Sequence, residues 1–93
     1  IALDTSVIVR YLVGEPVTQA RRAAALVDET EEDLAVSVVA LAECAHVLRS
    51  QYGIEQRDII DALIGLVQRE NVHVLGLRTD ALVAMLIRAR VIE

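Results

Sequence analysis

Aromatic side chains are nearly absent from this 93-residue sequence: they account for 2% of it, and neither tryptophan nor phenylalanine occurs. A protein that stacks RNA bases on an aromatic platform, in the manner of an RRM domain, is therefore not expected. Hydrophobic residues make up 55% of the chain, so the core must be built from alanine, valine, leucine and isoleucine. The length predicts one domain, residues 1–93, with a small core.

Basic charge is also scarce, because nine basic residues face 14 acidic ones and the net charge is −5. This balance argues against a protein that coats nucleic acid through a basic surface. It leaves open an enzyme that grips a phosphate through metal ions, since a cation reverses the local field.

Cysteines that could pair and long apolar runs are missing too. Cys44 is the single cysteine, which indicates a reducing compartment and hence a cytoplasmic protein. The longest apolar run, Leu34 to Ala42, stops at Glu43 and is too short for a membrane span. No basic region precedes the first apolar segment, so no signal peptide is predicted.

The apolar pattern predicts an α/β domain with a parallel sheet, in the order β-α-α-β-α-α-β-α. Three strands are expected, namely IAL, LAVS and VHVL at residues 1–3, 34–37 and 72–75. Three strands are fewer than usual, so a fold of this class is expected to add one or two more.

Five helices separate and follow these strands. Thr5 or Ser6 is expected to cap the first helix, TSVIVRYLV, and Glu15-Pro16 marks the start of the second. Gly53 is expected to end the third helix. The fourth is predicted from about Glu55 to Glu70, and Thr79 or Asp80 caps the last.

Two acids are the candidate ligands of a metal ion. Asp4 follows the first strand, and Glu43 lies about one and a half turns into the helix after the second strand. In parallel α/β sheets, ligands collect beyond the carboxyl ends of the strands. Glu43 interrupts an apolar run whose nearest basic residue is Arg49, and a carboxylate there is costly to bury unless it is paired or metal-bound.

Two carboxylates at such an edge make a plausible site for Mg²⁺ or Mn²⁺. Such an ion can activate water and stabilise displacement at phosphorus. From the residues alone, an alternative stays open: Asp4 merely caps the first helix, and Glu43 reaches solvent at a helix edge.

The stretch ALDTSVIVRYL resembles the opening of the PIN-domain family, particularly the VapC-type toxins of toxin–antitoxin pairs. In that family Asp-Thr-Ser or Asp-Ser-Ser follows the first strand. The stretch VSVVALAECAHVLRSQYG resembles the family's second motif, in which a glutamate sits inside an apolar helix. The resemblance covers essentially the whole chain.

This resemblance implies a three-layer αβα fold with a parallel central sheet, and Mg²⁺- or Mn²⁺-dependent cleavage of RNA by water. It implies that Asp4 and Glu43 are the catalytic, metal-binding acids and that the hydroxyls of Thr5 and Ser6 lie close to Asp4. Ser6 is the preferred partner for orienting a carboxylate or a bound water. It also implies a cognate antitoxin that blocks the site, and a homodimer.

The family carries further acids after the last helix seen here, so a C-terminally truncated PIN-like domain is expected. Asp80 is a weak candidate for a third ligand, and it is better explained as a first-turn acid that favours the helix dipole. Asp61 is interpreted as a helix-surface acid. Arg10 is a weak candidate for contacting RNA phosphate or an antitoxin carboxylate, and His46 is more readily explained as a surface residue than as a proton carrier.

Two other functions are considered. A haloacid-dehalogenase-type phosphatase also has an aspartate after its first strand, but it requires a second aspartate at the position of Ser6. The serious alternative is a non-catalytic interaction domain that uses an exposed apolar patch to bind a partner.

Overall fold

The computed structural model describes residues 1–91, and it confirms the predicted mixed α/β fold, with five helices and two of the three predicted parallel strands. Its elements in chain order are α1 (Thr5–Val13), α2 (Val17–Glu29), β1 (Leu34–Ser37), α3 (Val38–Ser50), α4 (Gln56–Val67), β2 (Val72–Leu75) and α5 (Thr79–Val91). Within residues 1–91, no helix has the length and apolar character needed to cross a membrane.

The sheet is built on β1, which pairs with a parallel neighbour on each side. Strand β2 pairs with it in a register that begins at Leu34 opposite Val72. On the other side, the amide of Leu3 donates to the carbonyl of Ala35 at 2.9 Å, and Ala2 forms a single parallel bridge with Ala35. The full first strand that we predicted is thus wrong in extent, because the helical region begins at Thr5 and leaves too few extended residues.

The core is aliphatic, as the composition requires. Leu34 and Val36 point inward from β1 and are completely buried, as are Ile8 of α1 and Cys44 of α3. Helix α1 packs against α2 and α3, and α4 packs against α3, α5 and β2. Burial of this apolar surface stabilises the fold, and it fixes the start of α1 beside the first half of α3.

Helices α1 and α3 each begin directly after an extended segment, with a polar side chain at the junction. Asp4 has extended backbone and accepts a hydrogen bond from the amide of Val7 at 2.9 Å. Ser37 accepts one from the amide of Ala40 at 3.0 Å. Our prediction that Thr5 or Ser6 caps α1 is therefore wrong, because both are already helical and an N-cap needs extended backbone.

The remaining helix ends follow from turn geometry. Gly53 lies just after α3 with a φ of +63°, a conformation in which glycine carries no Cβ penalty. Helix α4 ends at Val67 rather than at Glu70, because the amide of Val72 turns back to the carbonyl of Arg69 at 3.1 Å and leads the chain into β2.

Candidate active site

Asp4 lies exposed at the carboxyl end of the first extended segment. Its Oδ1 accepts hydrogen bonds from the Ser6 hydroxyl and the Val7 amide, both at 2.9 Å. The Val7 amide, then the Ser6 hydroxyl and the charge of Arg10, hold the pKa of Asp4 below its ordinary value. The carboxylate is thus ionised near neutral pH, and the hydrogen bonds to Oδ1 orient it.

Glu43 reaches the same edge of the sheet from α3. The hydroxyl of Thr5 donates to its Oε2 at 2.8 Å, across 38 positions of sequence. Because Thr5 directly follows Asp4, this one hydrogen bond brings the second acid next to the first. Within the described part of the chain, neither carboxylate forms an ion pair with a basic side chain.

The buried thiol of Cys44 lies close enough to both acids for their charges to affect its pKa. Its Sγ donates to the carbonyl of Thr5 at 3.6 Å. Burial, and then the negative charges of Glu43 and Asp4, raise its pKa to about 11. The thiol therefore stays protonated and unreactive near neutral pH, and the negative potential of two carboxylates overlaps at one point of the structure.

The donor chemistry of this cluster fits a hard divalent cation. Asp4 and Glu43 offer carboxylate oxygens, which Mg²⁺ and Mn²⁺ prefer as ligands. No group of three or more His, Cys, Asp or Glu side chains within residues 1–91 is arranged to hold a metal ion. The cluster therefore fits an open site, in which Mg²⁺ keeps several waters and shares substrate phosphate oxygens.

A comparison with protein families bears on this geometry: the profile of the PIN domain matches residues 1–90. The chain belongs to the PIN-domain family. PIN domains are generally nucleases and generally use divalent metal ions. No curated protein and no solved structure gave a match.

Asp80 lies elsewhere in this PIN domain. It pairs with Arg78, with Nη2 and Oδ2 2.9 Å apart, and its Oδ1 accepts from the amide of Ala81 at 2.9 Å. It shares a groove with Val67 and Val72, and so lies near the amino end of β2. Asp4 lies at the carboxyl end of the sheet, so the structure does not bring Asp80 to the candidate site.

Asp61 has a structural partner as well. Its two oxygens accept from Arg90 at 2.6 and 3.1 Å, and the hydrogen bond from Arg90 is the main cause that lowers the pKa of Asp61. The interpretation as a helix-surface acid agrees with this contact, which joins α4 to α5.

Arg10 and His46 flank the two acids without touching them. Arg10 lines a groove together with Thr5 and Ser6, and its guanidinium has no ion pair within residues 1–91. His46 is exposed and shares another groove with Glu43. Both positions border a site that is open to a long substrate.

Sequence reasoning missed the part that Thr5 plays. We expected its hydroxyl near Asp4; it donates to Glu43, while the Ser6 hydroxyl and the Val7 amide donate to Asp4. The only signal in the sequence was a pair of hydroxyls after a capping aspartate. Two hydroxyls one position apart point in different directions on a helix, which is why one pair can serve two acids.

Proposed function

We propose that this PIN domain is a metal-dependent endoribonuclease of the VapC toxin type. The observation that supports it is the hydrogen bond from Thr5 to Glu43, which holds Glu43 beside the residue that directly follows Asp4, at the carboxyl end of a parallel sheet. Asp4 and Glu43 would hold Mg²⁺ or Mn²⁺. When bound, the ion supplies an activated water and neutralises charge at the phosphate.

The protein residues prepare this site by fixing charge and orientation. Ser6 and the Val7 amide keep Asp4 ionised, and Thr5 holds one oxygen of Glu43. Without a cation the two acids weaken the attraction of this edge for an RNA phosphate, so metal binding should strengthen substrate binding. Both acids are exposed, which allows a phosphodiester in the middle of an RNA chain to reach them.

A protein partner, the cognate antitoxin, is part of this proposal, as is a homodimer. The groove beside Glu43 has a volume of about 620 Å³ and is lined by Val38, Val39 and Ala42 among others. Val39 is 67% exposed, so an apolar side chain is accessible to a partner beside Glu43. A partner that covers these apolar side chains also covers Glu43, and this supports inhibition by occlusion.

The test is cleavage of an end-labelled single-stranded RNA with added Mn²⁺ or Mg²⁺. We expect Asp4→Asn and Glu43→Gln each to lose more than about 100-fold in rate, beyond the loss typical of removing a ligand's hydrogen-bond partner. Asp61→Asn also neutralises one acid, but at an acid paired with Arg90, so it should cleave like the wild type. Persistent cleavage by both site variants would contradict the proposal.

The alternative of a non-catalytic interaction domain has one observation in its favour. Residues 1–91 assemble two acids and no larger metal-binding group, while Val39 lies exposed beside them. On this alternative the wild type cleaves no RNA at any Mn²⁺ concentration, and Val39→Asp abolishes binding of a protein partner. Metal-dependent cleavage that is lost in Glu43→Gln would exclude it.

A further inference from the structure

A continuous track leads away from Glu43 along α1. It consists of three surface depressions, which we call the α1–α2 track. The first contains Glu43 and Thr5, and the second, of about 410 Å³, contains Thr5, Arg10 and Gln19. The third, of about 300 Å³, contains Arg10, Gln19 and Arg22. Neighbouring depressions share lining residues, so they lie side by side on the surface.

Two arginines in this track have no partner within residues 1–91, namely Arg10 and Arg22. Ion pairs with an aspartate are formed only by Arg69, Arg78 and Arg90 within residues 1–91, so what distinguishes Arg10 and Arg22 from the other unpaired arginines is that both line the same depression. In a chain with a net charge of −5, two unpaired guanidinium groups along one groove mark it as a place for an anionic ligand.

Resting on the proposed function, we propose that the α1–α2 track binds the ribose-phosphate backbone of single-stranded RNA beside the cleaved bond. Arginine forms paired hydrogen bonds with phosphate oxygens, and Gln19 lies in the track with an amide that both donates and accepts. Arg10 is one helical turn, about 6 Å, beyond Ser6. A strand with one phosphate at Asp4 and Glu43 therefore passes Arg10 and then Arg22.

Two acids oppose this charge, namely Glu43 in the first depression and Glu15 in the second. Glu15 lines the second depression together with Arg10 and is exposed, so it weakens the attraction for phosphate. Glu15→Gln should therefore tighten RNA binding, whereas the loss of either arginine should weaken it.

The experiment measures binding of a short fluorescein-labelled single-stranded RNA to the full chain by fluorescence anisotropy, in EDTA and over a range of KCl. We expect Arg10→Gln and Arg22→Gln each to weaken binding about fivefold, and each to reduce the slope of log K against log salt by about 0.7. Arg21→Gln is the matched control, since Arg21 is next to Arg22 on α2 and lines none of the three depressions. It should change binding less than about twofold.

Equal losses in Arg21→Gln and Arg22→Gln would overturn the inference, because overall charge would then explain both. A polyglutamate peptide tests the other anionic partner, an acidic protein: losses confined to that peptide would also overturn it. If Arg10→Gln does not fold, by circular dichroism, Arg22→Gln and Gln19→Glu decide the question from exposed positions.

These results are separable from the test of catalysis. Binding in EDTA requires no cleavage. If the protein cleaves no RNA but its RNA binding depends on Arg10 and Arg22, the track is supported and the nuclease proposal is contradicted. An active nuclease whose RNA binding is insensitive to both arginines would reject the track alone.

Discussion

Acidic side chains lie at both ends of α1, and the two ends differ in whether a basic side chain neutralises the carboxylate charge. In the last turn, the Tyr11 hydroxyl donates to Asp28 at 2.8 Å, and Arg69 pairs with the same oxygen at 3.0 Å. At the first turn, Asp4 and Glu43 receive only hydroxyl and amide hydrogen bonds. A basic side chain pairs with the acid at one end, whereas within residues 1–91 none pairs with the acids at the other, which leaves the first-turn acids available to a cation.

The paired cluster is partly exposed. The Arg69 side chain is 32% exposed and that of Asp28 is 44% exposed. Arg69 donates further to the carbonyl of Val27 at 3.4 Å. Burial and the hydrogen bond to Asp28 raise the pKa of Tyr11, so Tyr11 remains a hydrogen-bond donor near neutral pH. This cluster ties α1 and α2 to the segment before β2, which is a structural role.

The largest effect on stability is expected at this paired end. Asp28→Ala removes the ion pair with Arg69 and leaves the Tyr11 hydroxyl without its acceptor. Hydrogen bonds to charged groups contribute about 1.5–3 kcal/mol, and partial exposure reduces this to about 1–2 kcal/mol of unfolding free energy.

Urea unfolding followed by circular dichroism measures this loss. Glu29→Ala is the matched control, because Glu29 is exposed and has no partner within residues 1–91, and its loss should stay within about 0.5 kcal/mol. Equal stability of the two variants would remove the distinction between structural and unpaired acids.

A basic side chain introduced beside Glu43 should form an ion pair at the first turn of α1. His46 is exposed, shares a groove with Glu43 and lies three residues after it on α3, so His46→Arg places a guanidinium within reach of Glu43. An exposed pair contributes about 0.2–1 kcal/mol, and we expect the Mg²⁺ concentration for half-maximal cleavage to rise by up to about fivefold. His46→Gln should leave it unchanged, and an equal rise in both variants would show that the imidazole itself matters.

The smallest expected effect is on the pH dependence of stability, through the ion pair between Asp61 and Arg90. Because Arg90 lowers the pKa of Asp61 below 3.8 in the folded state, ionised Asp61 adds stability above that value. The contribution is lost as the pH falls through the folded-state pKa. Asp61→Asn should therefore lower the urea midpoint slightly near neutral pH and match the wild type in strong acid. A difference that persists unchanged in acid would point to packing rather than charge.

Local features of the fold could be predicted from the sequence because they depend on neighbouring residues. The bounds of β1 and β2 agree with the apolar runs LAVS and VHVL. Helix α1 follows a run whose first residue needs a cap, but which side chain supplies it depends on backbone angles: Asp4 is extended, whereas Thr5 and Ser6 are helical. Hydroxyl-bearing residues are good caps in general, and so the pattern did not distinguish them.

Contacts between distant segments could not be predicted in the same way. Thr5 and Glu43 meet because α1 packs on α3, and no periodicity encodes which hydroxyl faces which helix. The shared groove of Arg10 and Arg22 depends likewise on how α1 and α2 pack. Asp80 was a weak candidate for a third ligand, yet its helix begins near the amino end of β2. Spacing along the chain therefore located the acids, and packing decided which of them meet.

The central claim is that Asp4 and Glu43 share one divalent ion, and paramagnetic broadening by Mn²⁺ tests it most directly. In two-dimensional amide NMR spectra with substoichiometric Mn²⁺, the signals of Ser6 and Cys44 should broaden together, because each lies next to one of the two acids. Either Asp4→Asn or Glu43→Gln should remove the broadening at both positions. Broadening of only one of them, or preferential broadening in the acidic segment 28–33, would contradict a shared site.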